Sequence, residues 1–422
     1  MKSYWISFLF LLLTTIAIPS DEVDLAVIHR IKQEAFQNGK VMDHLFYLTD
    51  VNGPRLTGSP GFQSAAEWVV KEIQGWGISN ARLESWGQFG RSWSFQKLSS
   101  NMIKPAYQPL HTYPLAWSPS TNGVVKAEVV YAPLLQKWEE WLKSDPTRLL
   151  EKIKIYETKY SGQLRGKIVL VDPPRELKPA TNPPFKRLDE KELTEMTEAP
   201  QPFVAPPLHW PILTLPEDEQ KRDEFEESLP LEIDADLWEQ QQKSVDQFNA
   251  LLVKEGVAAV MTASRRGIGG TLYAQEGSSW HSDAPLGPPM FAMEPEQYTR
   301  MIRLIEKKIP VELEVELQVT MPDQPVEGMN VVAEIPGGKK KDEIVMMGAH
   351  LDSWHSGTGA TDNAAGSAVV MEALRILKTL NLTMDRTVRL ALWSGEEQAL
   401  YGSRGYVKKH FADPVTMKLM SD

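Results

Sequence analysis

Two apolar runs, Ile344 to Ala349 and Val388 to Trp393, constrain the architecture most, because each stops abruptly on residues that carry chemistry. The first ends in His350-Leu351-Asp352 and the second in Ser394-Gly395-Glu396-Glu397. Between them lie a glycine-rich loop, the segment Thr361-Asp362-Asn363-Ala364-Ala365-Gly366 and a helical pattern. Strand, loop, helix, strand is the unit that builds a parallel pair, and its right-handed crossover sets the two C-terminal strand ends side by side. Open α/β sheets bind their ligands at those ends.

This topology lets His350, Asp362, Glu396 and Glu397 converge. One imidazole among several carboxylates suits Zn²⁺, which takes His nitrogen and Asp or Glu oxygen. Consecutive side chains after a strand diverge, so one of the two glutamates can ligate metal while the other faces water and takes its proton. Asp352, two residues beyond His350 on the same face, is placed to accept the other imidazole N–H. Asp362 is expected at a helix start, where the dipole keeps a carboxylate ionised and able to bridge two cations.

Taken together, His350-Leu351-Asp352, Gly359-Ala360-Thr361-Asp362-Asn363-Ala364-Ala365-Gly366, Trp393-Ser394-Gly395-Glu396-Glu397-Gln398 and Gly402-Ser403 resemble the zinc exopeptidases of peptidase clan MH, of the aminopeptidase Y and plasma glutamate carboxypeptidase type. A distant stretch, Gly53-Pro54-Arg55-Leu56-Thr57-Gly58-Ser59, resembles a loop of the same family. The resemblance implies two zinc ions, with His350 on one, Glu397 on the other and Asp362 bridging them. It makes Glu396 the catalytic general base and Asp352 the outer partner of His350, and it makes Asp362-Asn363 a candidate cis peptide. It also implies two further ligands, an Asp and a His, expected beyond Asp422, and so a C-terminally truncated peptidase domain.

The implied fold is α/β, a mixed, largely parallel sheet flanked by helices, with an inserted protease-associated domain. The implied function is hydrolysis of terminal peptide bonds, as an amino- or carboxypeptidase. An inactive truncated homologue or receptor-like binding module, and a glutaminyl cyclase, are the alternatives. Peptide is the expected partner, with a homodimer as a possible assembly.

Composition narrows the setting. A formal charge of -11 excludes nucleic acid as a partner, since phosphate binding needs basic surface. The absence of cysteine excludes disulfides and thiolate metal sites. Residues 1–20, one early lysine and then an apolar segment ending near Pro19-Ser20, read as a signal peptide too short for a stable membrane span. A secreted or periplasmic location is expected.

Helical spacing is expected over Val23 to Gln37, Val41 to Leu48 and Ser64 to Trp76, an irregular loop over Val51 to Gly61 and a strand over Ala81 to Phe89. These belong to an N-terminal part of the peptidase domain, 21–122. Short strands and a helix over Asp236 to Glu255 place the protease-associated insertion at 123–325, with a proline-rich, charged excursion from Asp172 to Asp234. The peptidase domain resumes at 326–422, with a charged hairpin turn at Gly338 to Asp342. His355 reads as an exposed loop residue, and His29, His44, His111, His209, His281 and His410 carry no partner pattern. The loop Ser356 to Ala360 lacks the ending of a phosphate-binding loop. Ser353, Ser394 and Ser403 lie in no nucleophile elbow and read as turn caps.

Overall fold

The computed structural model describes residues 24–137, 146–175, 186–197, 231–265, 271–413 and 418–419. The expected signal peptide, most of the proline-rich excursion and most of the terminal segment lie outside these residues.

The chain begins with helices α1 (Leu25–Gln37) and α2 (Val41–Phe46). The helical pattern expected to run to Leu48 changes at Tyr47 into a π turn, Tyr47–Val51. Helix α3 (Pro60–Gly75) starts where Pro60 follows a Ser59 cap whose side chain accepts from the Phe62 amide; its Ala65, Val69 and Ile73 are buried on one stripe. Strand β1 (Arg82–Gly90) follows.

Strands β2 (Ser94–Lys104), β3 (Gln108–Pro109), β4 (Thr112–Pro114) and β5 (Val125–Tyr131) lead to helix α4 (Pro146–Tyr160) and strand β6 (Ile168–Leu170). Helices α5 (Glu190–Thr197) and α6 (Leu231–Lys254) come next, then β7 (Ala259–Ala263), β8 (Met290–Met293), α7 (Pro295–Glu306) and β9 (Glu312–Thr320). Strands β10 (Val326–Ile335) and β11 (Lys340–His350), helix α8 (Ala365–Thr379), strand β12 (Arg386–Trp393) and helix α9 (Tyr401–His410) complete the order.

Two sheets result. The first is four-stranded and mixed, in the order β1-β10-β12-β11. β10 is antiparallel to both β1 and β12, whereas β11 and β12 run parallel, with Val345 opposite Val388 and His350 opposite Trp393. Leu390, Ala391 and Leu392 of β12 are fully buried, as the apolar run demands of a strand covered on both faces. Val69, Ile73, Met371 and Leu374 of α3 and α8 form a core with Val331, Ala333, Leu390 and Leu392.

The second sheet has eight strands in the order β3-β2-β9-β5-β6-β7-β8-β4. It begins at Ser94, well before the boundary expected at 123, because β2 pairs along its length with β9 in the antiparallel sense. The two sheets meet in an aromatic cluster of Phe89, Trp93, Trp117, Trp280 and Trp354. One expectation is corrected. Lys340 to Asp342 are not a hairpin turn but the start of β11, whose pairing to β12 slips between Lys340 and Ile344. The slip absorbs the charged residues as a local irregularity of the strand.

Candidate metal centre

The parallel β11/β12 pair places the expected ligands at one edge of the first sheet. His350 is the last residue of β11, and Ser367 on α8 holds its carbonyl with a 2.8 Å hydrogen bond. Asp362 does not lie within the helix. It has extended φ/ψ of -118° and 97°, three residues before α8 begins, and its peptide bond to Asn363 is cis. The Asn363 side chain accepts from the Gly366 amide at 3.1 Å and so caps the helix in place of Asp362.

His350 Nε2 stands 3.0 Å from Asp362 Oδ1 and 3.7 Å from Glu396 Oε2. Ligand atoms of His350, Asp362 and Glu397 all fall within 4.8 Å of one another. Nδ1 of His350 lies 3.0 Å from the backbone carbonyl of Asp352 and 3.5 Å from its Oδ1. A carbonyl only accepts, so Nδ1 carries a proton and Nε2 is the nitrogen that faces the carboxylates. Asp352 thus approaches the imidazole first through its main chain, not the side chain expected from the sequence. The extended chain turns at Leu351 and brings that carbonyl back.

The electrostatics are those of a cation site. Burial, with repulsion from Asp362 and Asp352, pushes the Glu397 carboxyl up to about 8. Burial also raises Glu396, with Asp352 and Asp362 adding to the shift and His350 opposing it. Burial alone would lower His350, but the hydrogen bond and charge of Asp352, aided by Glu396 and Asp362, push it up to about 9. A cation among these groups would relieve the repulsion that holds protons on them. The donor set of one imidazole nitrogen and carboxylate oxygens fits Zn²⁺.

Residues 330–422 match the family model described as peptidase family M28. Over that stretch the chain is similar to the family M28 peptidases. Carboxypeptidase Q from Xenopus laevis is 33% identical over 135 residues, covering 32% of this chain and 28% of that protein. Carboxypeptidase Q from Homo sapiens is 36% identical over 123 residues, 29% of this chain and 26% of that protein. Leupeptin-inactivating enzyme 1 from Streptomyces exfoliatus is 40% identical over 80 residues, 19% of this chain and 18% of that protein. The matched stretches thus span about a quarter or less of these relatives' lengths. The solved peptidase M28 precursor from Shewanella amazonensis aligns over 91% of this chain and 70% of its own, with a TM-score of 0.55 and 21% identity, which supports the mixed α/β fold.

Several residues that brace the cluster were not assigned a role from sequence. Arg55 is fully buried and donates to five main-chain carbonyls: Leu351 at 2.6 Å, Leu48 and Thr358 at 2.8 Å, Gly359 at 2.9 Å and Gly53 at 3.2 Å. Thr57 touches Asp352 and the turn after β12. The Gly-Pro-Arg-Leu-Thr-Gly-Ser run was the available signal, since it is too rich in turn residues for a regular element. Gly359 has φ +61°, and a Cβ there would come within 2.4 Å of Ser353 and 2.9 Å of Arg55. Asn330 is buried on β10, accepting from the Ser394 amide at 3.1 Å and donating to the Gly402 carbonyl at 2.9 Å.

His355 corrects a further expectation. It is buried at 3% exposure, hydrogen-bonded to the Pro114 carbonyl at 2.7 Å, and burial lowers its pKa to about 4. It ties the loop after β11 to the second sheet. His44 and His410 have partners in Glu372 and Glu84. Both are structural contacts away from the cluster. Ser353 and Ser394 are buried and, rather than capping turns, accept across the fold from the Arg55 amide and Trp86 Nε1 respectively.

Proposed function

We propose that this chain is the His350-, Asp362- and Glu397-bearing part of a secreted, zinc-dependent exopeptidase that cleaves terminal peptide bonds. The observation that carries the reading is the approach of those three ligand groups to one another beside Glu396 at the ends of a parallel strand pair. Leupeptin-inactivating enzyme and carboxypeptidase Q, by their names, act on peptides, which supports a peptide substrate here.

His350 Nε2, Asp362 and Glu397 would hold zinc. Zinc bound there supplies a Lewis acid that polarises the scissile carbonyl and acidifies water. Glu396 accepts the proton of the attacking water and returns it to the leaving amine. Its raised pKa suits both halves of that transfer. Asp352 holds the Nδ1 proton of His350 through its carbonyl, which leaves Nε2 as the nitrogen that gives up its proton on ligation. Residues 123–325 we assign to a protease-associated insertion, a reading supported by strands β5 to β9 of the second sheet, which β2 to β4 extend before residue 123.

The test is zinc content by elemental analysis together with hydrolysis of dipeptides. Stoichiometric zinc lost in Asp362→Ala, with hydrolysis abolished in Glu396→Gln, is the expected result. A protein that binds no zinc, or retains it in Asp362→Ala, refutes this reading.

A further inference from the structure

We infer that Thr57, delivered by the loop that Arg55 anchors, is a positioning residue that pre-assembles the metal centre. The inference rests on the zinc reading above. Asp352 is fully buried, and its Oδ2 receives two hydrogen bonds, from Thr57 Oγ1 at 2.8 Å and from the Glu397 amide at 3.2 Å. Thr57 Oγ1 in turn accepts from the Gly395 amide at 3.0 Å. The directions are fixed by chemistry. An ionised carboxylate only accepts, so the single Thr57 hydroxyl proton points at Asp352 and its lone pairs remain for the Gly395 N–H.

The result is a closed circuit. Gly395 N–H bonds to Thr57, Thr57 bonds to Asp352, and Asp352 accepts from Glu397 N–H. Residues 395 and 397 are therefore pinned on either side of Glu396, which fixes where both glutamates start from. The other face of Asp352 meets His350, through its carbonyl at 3.0 Å. One buried aspartate thus joins the end of β11 to the turn after β12, with Thr57 as the side-chain donor at its Oδ2.

Arg55 does the equivalent work for Asp362. Its guanidinium joins the carbonyl of Leu351, beside His350, to those of Thr358 and Gly359, on the approach to Asp362. The loop therefore braces three segments of the site, at Leu351-Asp352, Thr358-Gly359 and Gly395. Two residues apart in sequence, Arg55 and Thr57 connect segments that lie about 300 positions further along the chain.

A site whose ligands are already placed gives up less order when it binds metal, so losing the brace should weaken the metal and not merely the fold. The variants are Thr57→Val, which keeps shape and removes the hydroxyl, and Thr57→Ser, which restores the hydroxyl without the methyl. Zinc affinity is measured by chelator competition, and Co²⁺ absorption reports ligand geometry in the same proteins. Thr57→Val is expected to bind zinc about tenfold or more weakly with an altered Co²⁺ spectrum, and Thr57→Ser to bind within a few-fold of the parent.

Thr57→Ala, which leaves space for a water at the hydroxyl position, replaces the valine variant if that one does not fold. A folded Thr57→Val or Thr57→Ala protein with parental zinc affinity and spectrum overturns the inference. So does a Thr57→Ser protein as impaired as Thr57→Val, which would make the methyl packing the cause. If the parent itself binds no zinc, the metal reading fails instead.

Discussion

Arg55 Nε donates to the carbonyl of Leu351 at 2.6 Å, so a fully buried guanidinium sits directly behind the residue that separates His350 from Asp352. Burial lowers the Arg55 pKa to about 10, with Asp352 and Glu397 opposing that shift, so the group stays charged across the physiological range. Its hydrogen bonds to the Leu351 and Leu48 carbonyls are buried. Arg55→Met would remove the donor from both at once. A loss on the order of 3 kcal/mol or more in urea-denaturation stability is expected, since each unpaired buried group costs about 1 to 3 kcal/mol.

Glu396 and Glu397 are adjacent in sequence but are expected to fail differently. Glu396→Gln removes the proton acceptor and leaves the three ligand groups intact, so zinc content should be kept while dipeptide hydrolysis falls by about 10²- to 10⁴-fold. Glu397→Gln should lower zinc content itself. Elemental analysis and turnover measured on the same preparations separate the two roles.

Zinc uptake should depend on pH in a definite direction. In the metal-free protein His350 is raised to about 9 and Glu397 to about 8, so both hold protons at neutral pH. Zinc must displace them, and affinity should climb as pH rises from 6.5 toward 9. Calorimetric titrations at pH 7 in buffers of different ionisation enthalpy should register proton release. An apparent affinity that is flat over this range would contradict the cluster.

The same two groups make a prediction for metal-free stability. Each binds its proton more tightly folded than unfolded, so stability should fall as pH rises from the ordinary values, 4.5 for Glu397 and 6.5 for His350, through about 8 and 9. His355, lowered to about 4, has the opposite slope between 4 and 6.5. The clean window is therefore pH 6.5 to 9, where chelator-treated protein should lose melting temperature and excess zinc should restore it.

Behind α8 a separate buried network predicts a stability effect with no role for metal. Arg375 bonds Glu372 at 2.8 Å and Glu34 at 2.9 Å, and Glu372 also accepts from the Lys40 amide at 3.0 Å and lies 3.2 Å from His44 Nε2. Arg375→Met strands two largely buried carboxylates and should cost about 3 to 5 kcal/mol. Arg375→Lys should recover part of that loss in thermal unfolding, because it keeps the charge without the bidentate fork.

The residues of the centre were legible because short-range rules govern them. An apolar run that stops on His350-Leu351-Asp352, a second that stops on Glu396-Glu397, and a helix between them leave one topology that brings the ends together. The strands, their parallel pairing and the convergence of His350, Asp362 and the two glutamates follow from local periodicity and the handedness of the crossover, whereas the choice of Glu397 as ligand rests on the family resemblance. What periodicity could not supply was anything set by contact across long sequence separations. His355 looks like an exposed loop residue until β4 packs over it. Lys340 to Asp342 look like a turn until β12 offers them an edge. Arg55 and Thr57 look like parts of an irregular loop until Leu351, Asp352 and Gly395 are brought to them. Hydrogen bonding by a buried polar group depends on which chain segments surround it, and that is decided by the packing of the two sheets and their helices rather than by its neighbours in sequence.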